Sequence, residues 1–239
     1  NIGQSSSQGM MILFEAKTGI PKCILLDDGM LTDYRTAAAG AVAAKQLANV
    51  NSSKVLVLGT GIQARLQIEF LIKVFPIDKV FVWSRSKENT NDYCNYFIDN
   101  FSIEVNSVDC IKSIKEVDII VTATPSRVPW IYEVDKGVHI NAIGSDMPGK
   151  QELDGKLLGE VKVVTDSTLQ CAKNGELQHA LKSGDITLND VHAELGEILA
   201  KAKKGREFSD EITVFDSTGL GVQDLAIANY VFKKFNCQN

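Results

Sequence analysis

The pattern of hydrophobic and polar positions changes near residue 50, where short apolar runs begin to alternate with longer mixed segments. Runs such as VLVL and DIIV are nearly continuous, which is typical of strands that are buried on both faces. The predicted strands are 54–58, 79–83, 103–106, 117–122, 139–143 and 161–164, and the predicted helices between them are 63–74, 87–101, 110–115 and 151–158. This alternation predicts an α/β fold with a doubly wound, Rossmann-type parallel sheet.

The regions on either side of this pattern predict other elements. Residues 10–15 and 23–26 indicate a hairpin, and the alanine-rich segment RTAAAGAVAAKQLA indicates a helix that Thr32 or Asp33 could cap. After the sheet the sequence predicts helices at 167–180, 189–204 and 221–235 and a strand at 211–215. The small first region is therefore a mixture of strand and helix.

Composition narrows the class of protein. The chain has 239 residues, is 44% hydrophobic and carries a formal net charge of −5, so it has no basic character of the kind that nucleic-acid binders show. No apolar run approaches the length of a membrane span. The five cysteines form no C-x-x-C pair, which predicts a protein of the reducing cytoplasm without a disulfide framework or a metal site.

A glycine-rich loop follows the first predicted strand of the sheet. It is the G-x-G-x-x-A motif formed by Gly59, Thr60, Gly61, Ile62, Gln63 and Ala64. The first glycine permits a tight turn, the second lets the backbone approach a pyrophosphate, and the small last residue lets the helix pack closely. Because the motif joins a predicted strand to a predicted helix, it indicates a nicotinamide dinucleotide site and not only a structural turn.

The end of the second predicted strand bears on the choice of dinucleotide. An NAD-selective site usually has an acidic residue there, whereas this chain has Ser84 and Arg85. A guanidinium suits a 2′-phosphate, so NADP(H) is the predicted cofactor, with NAD(H) as the alternative.

Two further strand ends should reach the same crevice, because ligands bind at the carboxyl edge of a parallel sheet. Thr122, Ala123 and Thr124 end one strand, and Ile143, Gly144 and Ser145 end another. We expect both groups to contact the cofactor. Asp146 comes next, and the residues alone leave it open whether this carboxylate is catalytic or simply part of a surface loop.

Five segments in order along the chain resemble the ornithine cyclodeaminase/μ-crystallin family. They are LTDYRTAAAGAVAA, LGTGIQARLQ, NAIGSDMPGKQELD, HAELGEI and EITVFDSTGLGVQD. The resemblance implies a substrate and dimerisation domain formed by residues 1–50 with 216–239, a Rossmann domain at 51–215, and a homodimer. Family members carry a lysine and an arginine upstream of a stretch that aligns with 1–9, so we expect both residues to precede Asn1.

The resemblance also implies roles for three residues. Arg35 matches the arginine that binds the α-carboxylate of the substrate, a task that suits the bidentate guanidinium. Asp146 matches the catalytic aspartate of the family, and Lys150 matches a lysine on the substrate side. The shared chemistry is hydride transfer at the α-carbon between an amino acid and its imine.

The motifs are similar to the alanine dehydrogenase and imine reductase branch of the family. The expected activity is that of an NAD(P)H-dependent imine reductase or amino-acid dehydrogenase with a small amino, imino or keto acid substrate. One alternative is ornithine cyclodeaminase, which converts ornithine to proline and ammonia with bound NAD⁺. Another is a non-catalytic binding protein, although Arg35 and Asp146 are both present. No nucleic-acid or membrane partner is expected.

Overall fold

A hairpin and a long helix form the first region of the structure, a computed structural model that describes residues 9–111 and 116–236. Strands β1 (Met10–Phe14) and β2 (Pro21–Leu26) are antiparallel, as the sequence predicts, and helix α1 (Met30–Leu47) follows. α1 begins before the predicted caps, because the carboxylate of Asp27 accepts a hydrogen bond from the backbone N–H of Leu31 at 2.7 Å.

An eight-stranded sheet forms the centre of the molecule, and every neighbouring pair of its strands is parallel. Its strands are β3 (Lys54–Leu58), β4 (Lys79–Trp83), β5 (Glu104–Ser107), β6 (Ile119–Thr122), β8 (His139–Ala142), β10 (Lys162–Thr165), β11 (Ala193–Glu194) and β12 (Thr213–Asp216). Their spatial order is β11-β10-β12-β8-β6-β3-β4-β5. The predicted α/β class with a parallel sheet is therefore confirmed.

Helices cover both faces of the sheet. They are α1, α2 (Ile62–Ile72), α3 (Lys87–Asn100), α4 (Gly155–Gly159), α5 (Thr168–Asn174), α6 (Leu177–Ser183) and α7 (Leu195–Leu199), whereas α8 (Gly221–Asn236) packs against α1 and β1. Val55 and Val57 of β3 belong to the core on one face, and Leu56 and Leu58 belong to the core on the other. This two-sided burial explains why the strand is apolar at every position. Among the described residues, no helix is both long enough and apolar enough to cross a membrane.

Several local predictions were wrong. The predicted helix at 151–158 begins as strand β9 (Gln151–Leu153), which pairs with the unpredicted strand β7 (Arg127–Ile131). Gly175 divides the predicted helix at 167–180 into α5 and α6. The predicted helix at 189–204 is a 3₁₀ turn, the short strand β11 and the five-residue α7. Most of the predicted helix at 110–115 lies outside the described residues.

A buried polar network fastens α1 to the sheet. The imidazole of His139 is fully buried, with Nδ1 2.9 Å from the hydroxyl of Thr213 and Nε2 2.9 Å from Oδ1 of Asn141. The hydroxyl oxygen of Thr213 lies 2.8 Å from the carbonyl oxygen of Leu47, and the amide of Asn141 donates to the carbonyl of Gly40. Both carbonyls belong to α1, so His139 is part of the contact between that helix and the strands.

Burial lowers the pKa of His139 from 6.5 to about 4. In the unfolded chain His139 therefore binds a proton as the pH falls below the ordinary pKa of 6.5. In the folded chain it binds the proton only when the pH approaches the lowered pKa of about 4. The free energy of unfolding should fall by about 2 kcal/mol between about pH 7 and about pH 5 through this group alone. Urea titrations at a series of pH values measure the free energy of unfolding of the wild type and of His139→Gln. The decrease of this free energy with falling pH should be smaller in His139→Gln than in the wild type.

The control is His192→Gln, which replaces a partly exposed histidine. The free energy of unfolding of this variant should depend on pH as that of the wild type does. The same pH dependence of the free energy of unfolding in all three proteins would contradict a neutral, buried His139.

Candidate functional site

The glycine loop lies where the order of the strands reverses. β3 lies between β4 and β6, so the chain leaves β3 and β6 at neighbouring points of the carboxyl edge. Gly59 has a φ of 111°, and a Cβ added there would lie 2.5 Å from the carbonyl oxygen of Ala123. Glycine is the residue that fits this backbone and this close approach. Open α/β sheets bind their ligands in a crevice of this kind.

Gly61 leaves open space at the start of α2. Its backbone is extended, and no heavy atom of the described residues lies within 4 Å of a Cβ added at this position. No side chain in the described part of the chain caps α2, so the backbone N–H groups of its first turn are available to an anion. A glycine that packs closely at Gly59 and an open helix start at Gly61 together fit the pyrophosphate of a dinucleotide.

The later residues of the motif have different surroundings. The amide of Gln63 donates to the carbonyl oxygen and the carboxylate of Asp33, at 3.2 and 3.0 Å. Ala64 is fully buried, and its carbonyl accepts a hydrogen bond from the hydroxyl of Tyr93 at 2.9 Å. Ile62 is 57% exposed. Gln63 and Ala64 thus fasten α2 to α1 and α3, which leaves the first three residues of the motif beside the open space.

A cavity of about 280 Å³ lies between the glycine loop and the end of β4. Its walls are residues 59–61, 83–86, 123–126, Asn89 and Trp130. The hydroxyl of Ser84 donates to the carbonyl of Ser86 and lies 2.9 Å from the hydroxyl of Thr90, so its hydrogen is engaged within the start of α3. Arg85 is exposed and makes no ion pair within the described ranges, so its guanidinium is available to bind a ligand.

A buried glutamate ties together the loops that follow β6 and β8 at the carboxyl edge of the sheet. One carboxylate oxygen of Glu152 accepts from the backbone N–H and the hydroxyl of Thr124, at 2.7 and 2.6 Å. The other oxygen accepts from the backbone N–H of Gly144 at 2.9 Å. A Cβ at Gly144 would collide with this carboxylate. Burial raises the pKa of Glu152, and the hydrogen bonds from Thr124 oppose that rise.

Two more carboxyl groups lie buried behind Glu152. Glu176 accepts from the backbone N–H groups of Glu152 and Leu153, both at 2.9 Å, and burial raises its pKa well above the usual range. Burial also raises the pKa of Asp216 to about 7, and this carboxylate accepts from the N–H of Leu177 at 3.2 Å. These groups join β9, α6 and β12 beneath the loops. Among the described residues, no group of three potential ligands could hold a metal ion.

The loop after β8 carries Asp146 and Lys150, which form an ion pair at 2.6 Å. The side chain of Asp146 is 50% exposed, so a substrate can reach it. Gln178 of α6 holds this loop: its Oε1 accepts from the N–H of Gly149 at 2.7 Å, and its amide donates to the carbonyl of Lys150 at 3.2 Å. The imidazole of His179 lies 3.1 Å from the same carbonyl. The backbone of the loop is therefore fixed, and the half-exposed carboxylate of Asp146 pairs with the largely buried side chain of Lys150.

Arg35 lies on α1 against the loop that follows β12. Its Nε donates to Asp224 at 2.8 Å, and its Nη1 donates to Gln223 at 3.0 Å. A Cβ at Gly219 would lie 2.7 Å from Nη1, so the guanidinium packs directly on that glycine. The carboxylate of Asp166 holds the loop by accepting from the N–H groups of Thr218 and Gly219, at 2.8 and 2.6 Å.

The predicted site residues thus follow β3, β4, β6 and β8, or face the loop after β12. β8 and β12 are adjacent, which brings the loops near Asp146 and Arg35 to neighbouring points of the sheet edge. Within the described residues no hydrogen bond or ion pair joins Arg35 to Asp146. Sequence analysis missed Glu152 and Gln178. Glu152 lies in the GSDMPGKQELD segment, but nothing in that segment distinguishes its buried carboxylate from an exposed one.

Comparisons with known proteins agree with this arrangement. The model of the ornithine cyclodeaminase/mu-crystallin family matches residues 1–239. Alanine dehydrogenase of Archaeoglobus fulgidus is 41% identical over 239 residues, which cover 99% of this chain and 73% of that protein.

Two solved structures are similar over most of the chain. An archaeal alanine dehydrogenase dimer with bound NAD has a TM-score of 0.90 at 41% identity, covering 96% of this chain and 72% of that one. The Δ(1)-pyrroline-2-carboxylate reductase of Thermococcus litoralis, in complex with NADH and L-proline, has a TM-score of 0.87 at 32% identity. That match covers 94% of this chain and 71% of the other.

Proposed function

The chain belongs to the ornithine cyclodeaminase/mu-crystallin family, and we propose that it is an NAD(P)H-dependent imine reductase or amino-acid dehydrogenase. Its substrate would be a small amino, imino or keto acid. Support comes from relatives that are an alanine dehydrogenase and an imine reductase, with NAD or NADH in their structures. The single observation that carries the proposal is the dinucleotide crevice at Gly59, with Asp146 on a loop of the same sheet edge.

The residues beside the crevice fit a dinucleotide. Gly59, Thr60 and Gly61 with the start of α2 would bind the pyrophosphate. Thr122 at the end of β6, with Ala123 and Thr124 after it, would contact the middle of the dinucleotide, and Ile143, Gly144 and Ser145 after β8 would contact the nicotinamide half. Glu152 would keep those two loops at a fixed separation through its three hydrogen bonds. The bound nicotinamide would supply or accept the hydride.

Three side chains would handle the substrate. Arg35 would bind the α-carboxylate, since Asp224 and Gln223 engage its Nε and Nη1 and leave Nη2 free of hydrogen-bond partners among the described residues. Asp146 would orient the nitrogen-bearing centre or transfer a proton at its nitrogen, while the α-carbon exchanges the hydride with the nicotinamide. Lys150 would contact the substrate once a ligand competes for its ion pair with Asp146.

An assay of net redox change tests the proposal. Purified protein is given a keto acid, an amine and NADPH or NADH, and consumption of the reduced cofactor is followed. We expect stoichiometric oxidation of the cofactor with formation of the amino acid. Formation of proline and ammonia from ornithine, without net oxidation, would instead identify ornithine cyclodeaminase. Tight cofactor binding without turnover of any amino or keto acid would indicate a binding protein.

The preference for NADP(H) is a finer proposal that rests on Arg85. Arg85→Ala should weaken NADPH binding about tenfold, because it removes a charge-assisted hydrogen bond to the 2′-phosphate, and should leave NADH binding unchanged. Calorimetric titration with each cofactor measures both dissociation constants. Lys87→Ala is the matched control, because Lys87 is an exposed neighbouring cation whose partner is Asp109. An equal effect of Arg85→Ala on both cofactors would refute the assignment.

The division into domains and the homodimer are also proposals. α8 packs against α1 and β1, which supports grouping 216–239 with 1–50. The hairpin presents Met10, Ile12 and Leu26 to solvent with 60%, 43% and 78% exposure. Such an apolar face needs a cover, and the archaeal relative is a dimer. Sedimentation equilibrium would show whether two copies associate.

A further inference from the structure

Two tryptophans from distant parts of the chain meet at one end of the dinucleotide cavity. Trp83 is the last residue of β4 and Trp130 lies on β7, and both border the cavity. Their ring centroids are 4.5 Å apart, with an interplanar angle of 55°. They are the two tryptophans of the sequence. Large aromatic side chains beside an open cavity offer a flat apolar surface to a ligand.

The indole of Trp130 is positioned by packing and not by a hydrogen bond. Its Nε1 is buried and has no acceptor among the residues that the structure describes. Trp83 and Trp130 both pack against the apolar core on this face of the sheet. Contact with Trp83 therefore keeps the Trp130 ring beside the cavity.

The position of the pair selects one end of the dinucleotide. The cavity extends from Gly59 and Gly61 to Arg85 at the end of β4. In this fold the pyrophosphate lies at the glycine loop and the adenosine ribose at the end of the next strand. The nicotinamide half belongs near Gly144, which is not part of this cavity. The base nearest to the tryptophans is therefore the adenine.

We propose that the adenine of the bound dinucleotide packs against Trp130, and that Trp83 holds the Trp130 ring in place. This proposal rests on the proposed function, since it requires that the crevice binds a dinucleotide. A purine has apolar faces, and stacking of a base on an aromatic side chain is a substantial part of binding where it occurs. Trp130 would then add affinity for the adenosine half without touching the reacting atoms.

ADP-ribose is the probe, because it contains the adenosine half and the pyrophosphate but no nicotinamide. Calorimetric titration of the full chain should show binding, and Trp130→Ala should weaken it about 5- to 150-fold. Trp83→Phe, which keeps an aromatic ring beside Trp130, should weaken binding less than Trp130→Ala does. Thermal unfolding of each variant shows whether it is folded.

Fluorescence provides a second measurement with variants that keep an aromatic ring at both positions. In Trp83→Phe the one remaining indole is Trp130, and ADP-ribose should quench its emission through contact with the base. In Trp130→Phe the remaining indole is Trp83, and the quenching should be much smaller. The reverse order of quenching would overturn the assignment to Trp130.

The possible failures can be told apart. If the wild type binds neither ADP-ribose nor NADPH nor NADH, the proposed function fails and the adenine contact fails with it. If the wild type binds them and folded Trp130→Ala binds ADP-ribose equally well, only the adenine contact is wrong.

Discussion

Replacing Gly59 with alanine should lower the affinity for NADPH and NADH about 5- to 150-fold. The backbone φ of 111° is a conformation that alanine rarely adopts, and the new Cβ would lie 2.5 Å from the carbonyl oxygen of Ala123. The loop must move away from β6, and it then no longer presents its backbone to the pyrophosphate. Strain of this kind is of order 1–3 kcal/mol, and each 1.4 kcal/mol changes a dissociation constant about tenfold. Calorimetric titration with both cofactors measures the loss.

Two other glycines separate lost binding from lost folding. Gly61→Ala meets no atom of residues 9–111 and 116–236 within 4 Å and needs no positive φ, so the free protein should keep its stability while the methyl group obstructs the pyrophosphate. Gly184→Ala shares a positive φ of 80° but has open space and lies after α6, so it should lower stability and leave binding unchanged. Unchanged affinity in both Gly59→Ala and Gly61→Ala would refute the cofactor site.

The sheet could be predicted because its strands are governed by a local rule. β3 and β6 are buried on both faces, so nearly every position is apolar and the strand is visible in the sequence. The segment after Lys150 was predicted as a helix, but Glu152 and Leu153 are held extended by the distant carboxylate of Glu176 and by pairing with β7. A contact across 24 positions of the chain leaves no periodic pattern in either segment.

The same distinction applies to the site. The glycine motif was recognisable because its spacing reflects a local strand–loop–helix geometry. Arg35 and Asp146 were found by resemblance to the family, because no local sequence pattern distinguishes them from the other arginines and aspartates of the chain. Glu152 and the contact between Trp83 and Trp130 depend on which strands become neighbours, so they were accessible only from the structure.

Asp146→Asn should lower kcat about 10²- to 10⁴-fold in the amino-acid or imine reaction, because it removes the proposed proton-transfer group from the substrate site. The cofactor dissociation constants should stay unchanged, since Asp146 lies outside the dinucleotide cavity. The fold should also persist: the side chain is 50% exposed, and a pair of this kind contributes at most about 1 kcal/mol. Steady-state kinetics with cofactor titration separates these effects.

Asp154→Asn is the matched control, because it removes a carboxylate eight positions further along the same stretch. Asp154 caps α4 by accepting from the backbone N–H of Lys156 at 3.0 Å, and asparagine caps equally well, so kcat should be unaffected. A kcat for Asp146→Asn within a few-fold of the wild type would exclude Asp146 from proton transfer. A raised KM with an unchanged kcat would instead identify Asp146 as a substrate-binding residue. Lys150 would then lie beside the substrate without its ion pair to residue 146. The division of the effect between kcat and KM therefore decides whether this loop performs chemistry or only holds the substrate.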